Sequence, residues 1–288
     1  MISYSQMNAA SQPSALAEPD ELPASAAPDP AAPTGLYARP GSERLLYSRL
    51  LTELGVRHGF TTRLGGVSSG RFASCNVGRT WGDDPRCADE NLRLVAADAG
   101  FAVERLCQVI QIHSPVVLPL TSPERRQREA DGMASAHDLC LGVLSADCVS
   151  ILLADGKGRV AAVHAGWRGT VAAVAGAAVR ALSELGAQPG QLRAVLGPSI
   201  GPCCFEVQAD VAAEFARLGA GSVQQRGGRT YVDLWRTNRE LLLKAGLVPE
   251  HIDAAPPCTH CDPRRFYSYR RDGAGIGQHL AFILGGSL

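Results

Sequence analysis

Between Arg159 and Gly186 the chain changes its hydrophobic period, and that switch restricts the fold more than any other stretch. RVAAVHAG (159–166) is a short, largely apolar run ending in glycine, which reads as a buried strand entering a turn. TVAAVAGAAVRALSELG (170–186) follows at once as an alanine-rich helix, with Thr170 as its N-cap and Gly186 as its stop. A strand that feeds a helix within so few residues belongs to a mixed α/β architecture.

The alternation recurs along the chain. LGVLSADCVSILLAD (141–155) reads as two strands broken at Asp147-Cys148, QLRAVLGPSI (191–200) as another strand, and QADVAAEFARLG (208–219) as a helix. YVDLWRTNRELLLKAGL (231–247) passes from a strand into an amphipathic helix. FYSYRRDG (266–273) and QHLAFILGG (278–286) read as a hairpin or a pair of strands. The sum is one α/β domain over residues 36–288. Residues 1–35 are rich in Ala, Pro, Ser, Asp and Glu. They hold too little apolar surface to offset ordering entropy, so disorder is expected there.

Composition excludes some partners. The 28 basic and 28 acidic residues cancel, which removes the electrostatic basis for binding nucleic acid or a membrane surface. No apolar run approaches the length of a membrane span. Nine cysteines are odd in number and too dilute for a disulfide scaffold, and the N-terminus lacks the pattern of a secretory signal. Reduced thiols in a cytoplasm are the expectation.

Chemistry concentrates at His113 in QIHS, Cys148 in SADCVS and His164 in VHAGWRG. Two imidazoles and a thiolate form a borderline-soft donor set that suits zinc, with a fourth position left for water or substrate. Their spacings of 35 and 16 residues are far too long for a zinc finger and fit a site assembled from separate strand ends. Each has a plainer reading as a core residue.

The chain resembles the YfiH/LACC1 family, whose bacterial members are also called laccase-like polyphenol oxidases or peptidoglycan editing factors. The matching stretches are RHGFTTRLGGVSSG (57–70), QIHS (111–114), ADGMAS (130–135), LSADCVSILLAD (144–155), VAAVHAGWRGTV (160–171), GPSIGPCCFEV (197–207) and CTHCDPRRFYSYRRDG (258–273). The resemblance implies a layered α/β sandwich with a mixed sheet. It also implies a purine nucleoside phosphorylase with zinc or copper at His113, Cys148 and His164, acting on adenosine, inosine and methylthioadenosine with phosphate, and deaminating adenosine as well.

Phosphate calls for arginine, whose planar fork gives bidentate hydrogen bonds, and Arg63 in TTRLGG and Arg168 in GWRG lead on that ground. Asp147 is read either as orienting a ligand or moving a proton, or as capping a turn. His58 is read as lining the pocket or as structural. Asn76 is read as binding ribose or as holding a tight turn, and Trp167 as stacking on a base or packing in the core. Cys258-Thr-His-Cys261 has CxxC spacing, but its only companion is the adjacent pair Cys203-Cys204, so no structural metal is expected there.

Two other chemistries use the same residues. A cysteine hydrolase or amidase would take Cys148 as nucleophile and His113 or His164 as base, with cell-wall precursors as substrate. True laccase chemistry ranks low, because the seven histidines include no His-x-His pair to feed a copper cluster. The sequence leaves oligomeric state open.

Overall fold

The computed structural model describes residues 35–39, 42–219 and 221–286; the expected disorder of 1–35 falls outside these, apart from Gly35. Two mixed sheets form the body. The first runs, in spatial order, β1 (Leu36–Ala38), β2 (Leu45–Ser48), β3 (His58–Thr61), β15 (His279–Leu284), β8 (Cys140–Ser145), β4 (Leu106–Ile110) and β6 (Arg125–Glu129). The second runs β14 (Ile252–Asp253), β11 (Arg193–Leu196), β9 (Val149–Ala154), β10 (Val160–Ala165), β7 (Gly132–Ser135) and β5 (Val117–Pro119). A separate hairpin pairs β12 (Val223–Arg226) with β13 (Arg229–Val232). The contacts of β4 with β6 and β8, of β5 with β7 and of β11 with β14 are parallel, and the remaining ladders are antiparallel.

The central strands β8, β9, β10 and β15 are buried along their whole length because each face has its own layer to meet. Along β15, Ala281 and Ile283 point between the sheets, whereas Leu280, Phe282 and Leu284 point outward. That outer face is covered by α2 (Pro85–Ala99) through Leu92, Val95 and Ala96. Along β10, Val160 and Ala162 join the layer between the sheets, while Ala161 and Val163 meet the helices beyond the second sheet. Those helices are α4 (Val174–Glu184), α5 (Ala209–Arg217) and α6 (Leu234–Lys244). Ala175 and Ala178 are fully buried on α4, and their small side chains let that helix lie close to the sheet. The result is a layered α/β sandwich, as the family resemblance implies, built on two mixed sheets. Each large side chain in it contributes roughly 1.5–3 kcal/mol by leaving water.

Two local readings need correction. The helix expected from Thr170 is broken in two. α3 (Trp167–Val171) starts directly after Gly166, and Ala173 then takes a left-handed backbone (φ 58°) before α4 begins. Thr170 therefore caps nothing; its hydroxyl donates to the Ala165 carbonyl (3.3 Å) and accepts from Asn238 (3.0 Å). Gly186 does stop α4, at φ 92°. In FYSYRRDG the expected strand is instead the single helical turn α7 (Tyr269–Asp272). A remote carboxylate, that of Asp147, takes up the Arg270 amide (2.6 Å) and the Ser268 hydroxyl (3.0 Å), and this local pattern could not reveal it. A last short helix, α1 (Arg49–Thr52), follows β2 under a Ser48 cap.

Candidate active site

The chain leaves the first sheet at Ser145 and enters the second at Val149, so residues 146–148 are the crossover between the two layers. Cys148 is the last residue of that crossover. His164 lies on β10, paired in register with Ser150 of β9, and His113 lies on the loop that leaves β4. The fold thus brings together three residues from separate strand ends. Their ligand atoms all lie within 4.8 Å of one another, and the two imidazoles meet edge to face with centroids 5.0 Å apart.

Backbone strain marks the same place. His113 (φ 62°) and Asp147 (φ 97°) are two of only four non-glycine residues with positive φ among the described residues. Such conformations persist where the surroundings over-determine them, commonly at functional sites. Gly166 supplies the remaining space. A Cβ there would stand 2.7 Å from His113 Cδ2 and 3.1 Å from Cys148 Sγ, so the main chain closes directly over the cluster only because no side chain is present.

The residue that organises the cluster is Asp131, just before β7. Its Oδ1 holds His164 Nδ1 at 2.8 Å, and its main-chain carbonyl accepts the His164 amide at 2.7 Å. Its Oδ2 accepts from the Ile112 amide (3.1 Å), the Ser114 amide (2.5 Å) and the Ser114 hydroxyl (2.9 Å). One fully buried carboxylate thereby fixes both the His164 ring and the loop that carries His113. Sequence reasoning included ADGMAS among the family-like stretches but did not single out Asp131; an isolated acid before an apolar strand gives no local sign of a partner 33 residues away. Gln111 was also missed. Its amide exchanges two 2.8 Å bonds with the Leu144 main chain and ties the His113 loop to β8.

Burial alone would raise the Cys148 thiol, but the His164 charge and hydrogen bonds from His113 and His164 bring it down to about 6. Burial likewise opposes a charge on His164, yet Cys148 and Asp131 lift it to about 10. Burial also pushes the Asp131 carboxyl up, and the bonds from His164 and Ser114 more than offset that, leaving it below its ordinary value. A thiolate facing a carboxylate-held imidazole suits metal ligation and covalent chemistry alike.

The other expected residues are distributed differently. Asp147 directs its carboxylate to Thr259 Oγ1 (2.5 Å), the Ser268 hydroxyl and the Arg270 amide, so it fastens α7 and the 259 loop beside Cys148. His58 is not left available to a pocket. Its Nε2 accepts the Ser48 amide (2.7 Å) and its Nδ1 bonds the Val56 carbonyl (2.8 Å). Asn76 is similarly engaged with Gly78, Asp83 and the Gln278 amide, which makes it the tie of a tight turn. Arg63 donates to the Ala73 and Pro263 carbonyls and stacks on Tyr267 at 4.6 Å. Arg168 is exposed and lies over the Trp167 ring at 4.2 Å, and among the described residues its guanidinium makes no hydrogen bond. Trp167 itself packs against the helical side of the core. A cavity of about 330 Å³ lies elsewhere, beside α2, lined by Arg79, Gln108, Arg125 and Arg126 among others, and includes no residue of the cluster.

The cysteine pair Cys258–Cys261, for which no structural metal is expected, does find companions in space. Cys203, Cys204, Cys258 and Cys261 converge, with their sulfurs all within 4.8 Å of one another. The second pair of cysteines is vicinal rather than CxxC, so no ribbon-like spacing announced the cluster.

Fold and site define a class: a two-sheet α/β sandwich that assembles a Cys-His-His donor set where the chain crosses between its sheets. Residues 57–285 match the family described as multi-copper polyphenol oxidoreductase laccase. A purine nucleoside phosphorylase of Deinococcus radiodurans is 40% identical over 233 residues, which are 80% of this chain and 89% of that protein. The purine nucleoside phosphorylase LACC1 of Mus musculus is 35% identical over 237 residues, 78% of this chain but 55% of that protein. The crystal structure of YlmD from Geobacillus stearothermophilus is similar at a TM-score of 0.81 and 30% identity, covering 88% of this chain and 100% of YlmD. The chain belongs to this family, the one its motifs resemble.

Proposed function

We propose that this chain is a metal-dependent purine nucleoside phosphorylase that cleaves adenosine, inosine and S-methyl-5′-thioadenosine, and that it also deaminates adenosine. One observation carries the reading: His113, Cys148 and His164 converge at the sheet crossover with Asp131 holding His164 in place. The names of the similar proteins from Deinococcus radiodurans and mouse supply the reaction class.

The donor set fits a resident zinc or copper ion. Three soft or borderline ligand atoms lie within 4.8 Å of one another, and a buried carboxylate on His164 Nδ1 leaves Nε2 for the cluster. When bound, such an ion supplies Lewis acidity and lowers the pKa of water for attack on the purine ring in deamination. In phosphorolysis the C1′–N9 bond breaks, the departing purine keeps the electron pair and takes a proton, and a phosphate oxygen bonds C1′. The products are free base and the sugar 1-phosphate. Arg168, exposed and without a hydrogen-bond partner for its guanidinium among the described residues, is available to hold phosphate, whereas two of the Arg63 donors are already spent on carbonyls. Asp147 acts as a positioning residue, setting the backbone from which Cys148 projects.

A second reading has its own support, since Cys148, His164 and Asp131 follow the order of a nucleophile, its base and an orienting acid. In that case the chain is a cysteine hydrolase or amidase acting on cell-wall precursors. Laccase chemistry stays last. The two clusters among the described residues offer two histidines between them, too few for a trinuclear copper centre. Among the described residues no helix is long and apolar enough to cross a membrane, and all nine cysteines are unpaired.

The test is chromatographic analysis of adenosine incubated with the protein, with and without phosphate and chelator. Phosphate-dependent adenine and phosphate-independent inosine, both abolished by chelation and restored by metal, are expected. Unchanged adenosine under every condition, with hydrolysis that resists chelators and dies on thiol alkylation, would transfer the site to the hydrolase reading.

A further inference from the structure

The geometry points to a second metal site, a closed tetrathiolate centre for zinc formed by Cys203, Cys204, Cys258 and Cys261. The two halves come from loops far apart in sequence that are zipped together by main chain. Ser199 bridges to Cys258, the Thr259 amide donates to the Ser199 carbonyl at 3.0 Å, and the Ser199 amide reaches Pro257 at 3.3 Å. The zipper places the Cys261 sulfur 3.3 Å from that of Cys204 and 3.6 Å from that of Cys203.

Those separations discriminate between chemistries. A disulfide holds its sulfurs at about 2.05 Å, and one bond from Cys261 would serve only one of its two neighbours. Four sulfurs at about 2.3 Å from a tetrahedral zinc stand about 3.8 Å apart, close to what the loops already provide. The Gly201 amide also donates to Cys258 Sγ at 3.2 Å, the kind of N–H···S bond that supports a coordinating thiolate. Gly201 has no room for a side chain, because a Cβ would lie 2.8 Å from the Trp235 ring and 3.2 Å from Cys203 Sγ, which keeps that amide close to the cluster.

The centre differs in kind from the His113–Cys148–His164 cluster. Four cysteines complete a tetrahedron and leave no position for substrate, so its role is structural. It staples the 201–204 turn to the 258–261 loop. Thr259, between two of its ligands, donates to Asp147 beside Cys148, so the staple also steadies one wall of the active site.

Metal analysis of the full-length protein tests this. Wild type is expected to carry two metal ions per chain. Cys148→Ala should keep one, bound by the four cysteines alone, and the double variant Cys204→Ser/Cys261→Ser should lose that one. Cobalt loaded into Cys148→Ala should show the intense thiolate charge transfer and visible bands of a tetrathiolate, absent from the double variant. Because the double variant risks misfolding, thiol labelling of wild type is the companion measurement: exposed Cys261 should resist alkylation until a chelator is added. A metal-free Cys148→Ala protein whose four thiols label at once, or a mapped disulfide among them, would overturn the proposal. Cys148→Ala lacks the first site, so this outcome is independent of whether the phosphorylase reading holds.

Discussion

The two sulfur-bearing clusters are held in different ways, and the contrast matches the reactive site and the staple proposed for them. At the sheet crossover a buried carboxylate, the positive-φ backbones of His113 and Asp147 and the bare Gly166 fix the three side chains. At the four-cysteine knot the loops are joined mainly by main-chain hydrogen bonds, and the sulfurs face one another. Preorganisation by partners that are not ligands leaves room for a substrate, whereas four self-sufficient ligands leave none.

The contrast can be broken most directly at Cys148. Cys148→Ala should reduce phosphorolysis by more than about a hundredfold, the upper range for loss of a supporting partner, while the thermal midpoint falls less than in Cys204→Ser/Cys261→Ser. If Cys204→Ser/Cys261→Ser instead abolished turnover and left the midpoint unchanged, the division of roles would be wrong. Asp131→Asn comes next, with a loss of about 10–100-fold in metal affinity or activity, read by metal titration and kinetics together. Gly166→Ala should follow at about tenfold in kcat, because its Cβ would displace His113 and Cys148 by a fraction of an ångström.

Thr259→Val sharpens the comparison by testing the link between the clusters. Losing its bond to Asp147 should cost about 1–3 kcal/mol in stability and only a few-fold in activity, with both metal ions retained. The smallest expected effect on activity accompanies a change confined to stability in acid. Burial pushes His58 down to about 4 and His279 to about 3, so both rings are neutral in the folded chain. In the unfolded chain they protonate near 6.5. Their contribution is therefore complete above about pH 6.5 and is lost as pH falls towards 4 and then 3, on the order of 3 kcal/mol for His58. Denaturant titrations between pH 7 and 4 would show it, and a His58→Gln variant should flatten the slope.

Much of this was legible in the chain, and the boundary of legibility is physical. Apolar runs and turn glycines located β8, β9, β10, β11 and α4–α6, because hydrophobic period is a local property. The motifs also singled out the three residues that the fold brings together. Thr170 and the 266–273 segment misled because their hydrogen-bond partners, Asn238 and Asp147, lie far away along the chain. His58 and Asn76 looked available only because the amides that occupy them are invisible in sequence.

The sequence by itself determined the α/β class, the family and the identity of the cluster's donors, each encoded in short contiguous runs. Only the tertiary structure decided that β8 and β9 part into different sheets, that Asp131 orients His164, and that four cysteines from two loops meet. Those outcomes depend on which strands pair and which loops zip. That choice is set by the whole packing arrangement and by no single stretch of residues.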